Sequence, residues 1–272
     1  MIFPFFLLSL ALTATLTVLC KLSGLSLLWI ALMLPGFTLG FILLHFIIIC
    51  IMSLFINKNK EQKTNNKFFR RLTTFSIGIV LKLMRVKVVC QNAHLIPEGR
   101  WLLISNHRSG FDPLIQMWAL RKHDIAFISK PENLRIPVGG EFMHKCGALA
   151  IDRDNPRKAL RVILKAVDYI KNDIVSVCIY PEGTRNHEGG VLPFKSGALQ
   201  IAQKAKAPIV CSVVHNSQNI TKNLPFKRTV VTVRILSVID AASAADQKTV
   251  DIGEVLRKEI SDAWYELEDN TK

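Results

Sequence analysis

The sequence predicts an α/β fold, a mostly parallel sheet flanked by helices, carried behind an N-terminal membrane-anchoring helical segment. Two observations carry that prediction. From residue 86 onward, short β-branched runs alternate with stretches of helical periodicity, the pattern of successive βα units. Before residue 57 the chain is apolar almost throughout. Lys21 is the single charged side chain there, so the formal net charge of +14 leaves +13 for residues 57–272.

Within the anchor, residues 1–56, one apolar run covers residues 2–20 and another covers residues 22–56, interrupted by Pro35-Gly36. Either run is long enough to cross a bilayer, since about 20 apolar residues span the hydrocarbon core. A cleaved secretory signal fits less well, because there is no basic n-region or small-residue cleavage site and a second apolar run follows at once. Pro35-Gly36 either kinks one long helix or turns the chain between two. Lys58, Lys60, Lys63, Lys67, Arg70 and Arg71 follow, and such a cluster stays on the cytoplasmic side of a membrane. The expected location is therefore the cytoplasmic membrane, with the remaining chain on the cytoplasmic side.

Residues 57–85 form a basic amphipathic segment in which Phe68, Leu72, Phe75, Ile79 and Leu83 recur at helical spacing. That pattern suits a helix lying on anionic membrane lipid, and it equally suits a helix packed on a protein core. Residues 86–272 then read as one α/β domain. Its strands are expected at residues 86–89, 102–105, 125–128, 148–151, 174–179, 209–214 and 229–235. A helix begins at Pro156 with an apolar face of Leu160, Ile163, Leu164, Val167 and Ile170, and a last helix carries Ile252, Val255, Leu256, Ile260 and Trp264. Roughly 190 residues suffice for one core.

Strong basicity also raises nucleic acid as a partner. No nucleic-acid module is recognisable and the cations are scattered through apolar segments, so an anionic lipid surface accounts better for charge and anchor together. Cys20, Cys50, Cys90, Cys146, Cys178 and Cys211 show no CxxC or CxxH spacing. They read as reduced, small apolar residues, with no metal site or disulfide framework expected.

The chemistry concentrates in two loops. In Asn106-His107-Arg108-Ser109-Gly110-Phe111-Asp112, an imidazole and a carboxylate stand five positions apart between an apolar strand and the helix opened by Asp112-Pro113. Such a pair can make an alcohol nucleophilic, at the carboxyl edge where α/β sheets place their ligands. The plain alternative is a surface His with Asp112 as a helix N-cap. Tyr180-Pro181-Glu182-Gly183-Thr184-Arg185 follows another strand. Gly183 permits a tight turn, Thr184 adds a hydroxyl, and Arg185 offers a fork suited to phosphate. Arg153, in Gly147-Ala148-Leu149-Ala150-Ile151-Asp152-Arg153, and Lys195, in Phe194-Lys195-Ser196-Gly197-Ala198, add further cations. Each of these loops is also compatible with an ordinary solvated turn.

These segments, followed by Ala207-Pro208-Ile209-Val210, resemble the four ordered blocks of the glycerolipid acyltransferase family over roughly residues 85–240. The chain departs from the family pattern after the fourth block, where Cys211 and Ser212 stand in place of a common second proline. The resemblance implies transfer of a fatty acyl group from acyl-CoA or acyl carrier protein, with no cofactor. The acceptor would be the sn-2 hydroxyl of 1-acyl-sn-glycerol 3-phosphate (lysophosphatidic acid), and the product phosphatidic acid for phospholipid synthesis. It implies His107 as base, Asp112 as its orienting carboxylate, and a phosphate subsite shaped by Glu182, Gly183, Thr184 and Arg185, with Arg153 and Lys195 as further candidates. Glycerol 3-phosphate or another lysophospholipid as acceptor, hydrolysis, and a non-catalytic membrane lipid-binding protein are the alternatives.

Overall fold

The computed structural model describes residues 2–19, 27–60, 62 and 64–270, so Cys20, Lys21 and Lys63 lie outside the described residues. The chain divides into two units, Met1–Lys58 and Asn59–Lys272. In the first, α1 (Phe3–Leu19) and α2 (Leu27–Leu54) run antiparallel. Thr38 Oγ1 donates to Ser9 Oγ at 3.0 Å, and the rings of Phe5 and His45 lie 5.8 Å apart. Pro35 is inside α2, so Pro35-Gly36 is not the turn between the helices. Among the described residues, one helix is long and apolar enough to cross a membrane, over Leu32–Leu54, and Phe3–Val18 is shorter. At 1.5 Å per residue the 17 residues of α1 rise about 26 Å, less than the roughly 30 Å hydrocarbon core. The first apolar run is thus a shorter helix than its sequence length promised.

The second unit holds a seven-stranded sheet. Its strands are β1 (Val86–Gln91), β2 (Leu102–Ser105), β3 (Ile125–Ser129), β4 (Leu149–Ala150), β5 (Ser176–Ile179), β6 (Ile209–His215) and β7 (Thr229–Ile239), in the order β1-β7-β6-β2-β5-β3-β4. Every pairing is parallel except β6 with β7. All seven expected strands are present, because strands covered on both faces read as continuous apolar runs. Period-2 alternation then divides each run between two layers. Leu102 and Ile104 face one core with α6 (Pro156–Lys171), α7 (Gln200–Ala205) and α10 (Thr249–Asp269), whereas Trp101 and Leu103 face the other. α3 (Lys67–Leu83) and α4 (Asp112–Ala119) cover that second face through Ile77, Leu81 and Ile115. All of these core side chains are nearly or fully buried, each contributing about 1.5–3 kcal/mol relative to exposure.

Three helical expectations change. In α6 the buried face is Ile163, Ala166, Val167, Tyr169 and Ile170, while Leu160 and Leu164 remain about half exposed. The stripe that packs is rotated from the one the leucines suggested. In α10 Val255 is exposed, and Ala263 and Leu267 join the buried face. In α3 Ile79 is fully buried and Phe68 and Leu83 are exposed, so part of the supposed lipid-facing stripe is protein core.

Arg70 is also buried rather than a surface cation. Its guanidinium donates to the carbonyls of Ile125 (2.7 Å) and Cys146 (2.8 Å) and pairs with Asp124 at 3.2 Å. It ties α3 to the sheet. The thiols of Cys146, Cys178 and Cys211 are buried, and burial pushes each of them up from the ordinary thiol range.

Candidate active site

β2 and β5 are neighbours in parallel, with Ile104 opposite Ile179, so the loops that follow them leave the sheet side by side. Asn106 begins the first loop by extending the ladder with its side chain. Its Oδ1 accepts from the Val214 N–H at 2.8 Å and its Nδ2 donates to the Val214 carbonyl at 2.9 Å. The backbone N–H and carbonyl of Val214 in β6 are thereby kept paired where β2 ends.

His107 stands next, its side chain 19% exposed, with Nδ1 2.8 Å from Oδ2 of the fully buried Asp112. A carboxylate facing Nδ1 fixes the neutral ring's proton on that nitrogen and leaves the Nε2 lone pair as the basic position. The same Oδ2 accepts the N–H groups of Arg108 (2.7 Å) and Ser109 (2.8 Å). Asp112 therefore does not cap α4; Phe111 occupies the cap position, and the carboxylate turns back into the loop. The imidazole stacks on Tyr180 with centroids 4.3 Å apart and planes at 11°. Tyr180 in turn donates its hydroxyl to Gln116 Oε1 at 2.7 Å. Burial pushes the Tyr180 phenol well above its ordinary range, so it stays a neutral donor and a fixed platform.

The second loop is joined to the first by backbone. Glu182 Oε1 accepts the His107 N–H at 2.6 Å, its Oε2 accepts the Leu192 N–H at 2.9 Å, and the Asn186 N–H donates to the His107 carbonyl at 2.8 Å. Burial raises the Glu182 carboxyl above the usual range, opposed by the two amide hydrogen bonds. Glu182 is thus a buried brace for the histidine loop rather than part of a solvated turn. Gly183 has φ +75°, and a Cβ there would lie 3.0 Å from Cε and 3.2 Å from Nζ of Lys195. The positive φ is what favours glycine here, and it leaves the end of the Lys195 side chain lying against the turn.

Thr184 and Arg185 are exposed, and an Arg185 guanidinium nitrogen approaches the Cα side of Gly110, 3.9 Å from where a Cβ would stand. The structure therefore brings His107, Asp112, Glu182, Gly183, Thr184, Arg185 and Lys195 together. Arg153 follows β4, separated from β2 by β5 and β3, and is not drawn into that cluster.

Arg108, beside the imidazole, is buried. Its guanidinium donates to the Glu188 carbonyl and lies 4.7 Å over the Trp264 ring, and burial lowers its pKa. It is committed to the scaffold. Sequence reading missed Tyr180, Gln116, Asn106 and Asn186 as parts of this site. Gln116 offered one signal: a fully buried amide on an otherwise apolar helix face needs partners.

A stacked imidazole held by a buried carboxylate at the open edge of a parallel sheet, with cations beside it, defines a class of α/β enzyme in which a side-chain base activates a small nucleophile. Residues 87–215 match the Acyltransferase family model. The chain is 30% identical to the 1-acyl-sn-glycerol-3-phosphate acyltransferase of Salmonella typhimurium over 176 residues, covering 64% of this chain and 71% of that protein. It is 35% identical to the sheep 1-acyl-sn-glycerol-3-phosphate acyltransferase alpha over 138 residues, 50% of this chain and 48% of the relative, so the match spans about half the length of that relative. The chain belongs to the acyltransferase family. Its fold is that of the crystallised 1-acyl-sn-glycerophosphate acyltransferase PlsC from Thermotoga maritima, with a TM-score of 0.60 and 17% identity over 96% of this chain and 97% of that one.

Proposed function

We propose that this chain transfers a fatty acyl group from acyl-CoA or acyl carrier protein to the sn-2 hydroxyl of 1-acyl-sn-glycerol 3-phosphate, forming phosphatidic acid. The observation that carries the reading is the 2.8 Å contact between His107 Nδ1 and the buried Asp112, which leaves Nε2 basic at the edge where the Arg185 loop opens. Nε2 takes the hydroxyl proton while the hydroxyl oxygen attacks the thioester carbonyl. The tetrahedral intermediate then collapses, the C–S bond breaks, and the imidazolium returns its proton from Nε2 to the departing thiolate. Asp112 holds the tautomer and stabilises the imidazolium, so the reaction needs no covalent acyl-enzyme and no cofactor.

The N–H groups of His107, Arg108 and Ser109 are taken by Glu182 and Asp112, so oxyanion stabilisation falls to other donors on this edge. Arg185 binds the acceptor's phosphate with a charge-assisted fork, and Lys195 adds charge at the Gly183 turn. Arg153, on the far side of β5 and β3 from β2, is a second choice for that phosphate. The apolar helices hold the site at a membrane with the α/β unit on the cytoplasmic side, where the soluble donor is found. An acyl chain then need not be drawn into water, at about 0.8 kcal/mol per CH₂.

Purified protein in lipid, assayed with a panel of lysophospholipids and glycerol 3-phosphate and with both donors, tests the assignment alongside His107→Ala. The expected result is a preference for lysophosphatidic acid and a loss of roughly 10²–10⁴-fold in kcat on substitution. Retention of acyl transfer by His107→Ala, with the product still esterified at sn-2, would falsify the mechanism. Release of free fatty acid as the main product would point to hydrolysis.

A further inference from the structure

We infer that the starts of β1 and β7 form a membrane-contact surface of the α/β unit, fitted to an anionic lipid bilayer and set on the same sheet edge as His107. Phe226 is 84% exposed, and Leu83 and Val230 are about half exposed. Around them stand Lys82, Arg85, Lys87, Lys222, Lys227 and Arg228, all exposed. These residues come from three segments that the fold joins. The Thr229 N–H donates to the Arg85 carbonyl at 3.1 Å, Val86 and Lys87 sit opposite Thr229 and Val230, and Leu224 packs in one cluster with Met84 and Val86.

Charge and apolarity in this patch select its partner. No Asp or Glu occurs between Glu61 and Glu98 or between Glu188 and Asp240. The carboxylates that reach β6 and β7 from α10 are Glu268 and Glu266, engaged by His215 and Arg234, and Glu259, which accepts from Ser237 near the far end of β7. An aromatic tip ringed by cations, with no local carboxylate, matches an interface whose surface is anionic and whose next layer is hydrocarbon. A bilayer gives the exposed Phe226, Leu83 and Val230 hydrocarbon to enter as well as anions for the surrounding cations.

Topology explains why this surface matters. β6 and β7 form the one antiparallel pair, so β1 and β7 run against β2, β5 and β6. The beginnings of β1 and β7 therefore share an edge with the ends of β2 and β5, where His107 and Arg185 lie. His215, at the end of β6, pairs with Thr232, only three residues into β7. Two strand spacings, about 10 Å, separate β7 from β2 within the sheet. A bilayer touched by Phe226 lies beside the opening through which a lysolipid would enter; that consequence rests on the acyl-transfer reading, and the contact itself does not.

The test uses the full chain in vesicles of phosphatidylcholine with or without phosphatidylglycerol. Phe226→Trp, checked for an unchanged unfolding temperature, should show blue-shifted added emission that brominated acyl chains quench, more strongly when phosphatidylglycerol is present. In the triple variant Phe226→Ser, Lys227→Ser and Arg228→Ser, KM for lysolipid in anionic vesicles should rise roughly tenfold, with kcat and the use of a short-chain soluble lysolipid unchanged. Water-like, unquenched emission overturns the proposal, as does quenching equal in neutral and anionic vesicles. A loss confined to acyl carrier protein as donor, without quenching, assigns the patch to an acidic protein instead. Quenching needs no turnover, so it decides the question even for a chain that transfers no acyl group.

Discussion

The loop after β2 and the loop after β5 leave adjacent strands at one edge, yet they are built oppositely. The first is turned inward: Asn106, Arg108 and Asp112 are buried, and a single carboxylate oxygen gathers an imidazole and two amides. The second is divided, with Tyr180 and Glu182 buried as platform and brace and Thr184 and Arg185 exposed. A polar side chain buried beneath the surface and bonded to its own loop can orient a neighbour but has little reach toward a ligand. Under the proposed mechanism, the difference separates residues that set the reactivity of His107 from residues that recognise what arrives.

Asp112→Asn gives the sharpest test of that division. It keeps the side-chain shape and removes the charge that holds the Nδ1 proton, so kcat should fall roughly 10²–10⁴-fold with KM for lysolipid little changed. Steady-state kinetics in lipid check this, and a fall in affinity alone would erase the distinction between the loops. Arg185→Ala should do the reverse. Loss of a charge-assisted contact of about 1.5–3 kcal/mol corresponds to roughly a tenfold to hundredfold rise in KM for the phosphorylated acceptor. A kcat defect with normal KM would move Arg185 into the orienting group.

Glu182→Gln gives the smallest and most structural effect. Glutamine can accept from only one of the two amides, which costs about 1–3 kcal/mol of stability. The sign with pH follows from the raised carboxyl pKa. The folded state binds the Glu182 proton more tightly than the unfolded chain does, so this contribution is full below the ordinary carboxylate range and is lost as pH rises through the folded value. The stability gap between wild type and Glu182→Gln, measured by unfolding in detergent, should therefore be wider in mild acid than at neutrality. A gap that widens with pH would show that the amide hydrogen bonds outweigh burial.

How much of this was legible in the sequence depended on how local each cause was. All seven strands could be read because a strand buried on both faces leaves an uninterrupted apolar run, as at 102–105 and 209–214. The helix faces were harder. Leu160 and Leu164 share a stripe with Ile163 and Val167 in projection, and only the position of the sheet decides which side packs. His107 and Asp112 were visible as a pair because one turn separates them, but the carboxylate's recruitment of the Arg108 and Ser109 amides, in place of a helix cap, depends on how the loop closes. Tyr180, Gln116 and Asn186 act across distances of tens of residues, and Arg70 reads as one more surface cation until Ile125 and Cys146 surround it. Such roles have no local signature.

The stacking of His107 on Tyr180 carries a consequence for the order of events. A ring clamped between a carboxylate and an aromatic plane cannot flip to exchange its nitrogens, so a proton collected at Nε2 can be given back only from Nε2. The hydroxyl that loses the proton and the thiolate that receives it must then both reach the same edge of the imidazole. On the proposed acyl transfer, acceptor and donor have to be bound together before anything reacts, and chemistry at this site becomes a meeting of three bodies rather than a sequence of two visits.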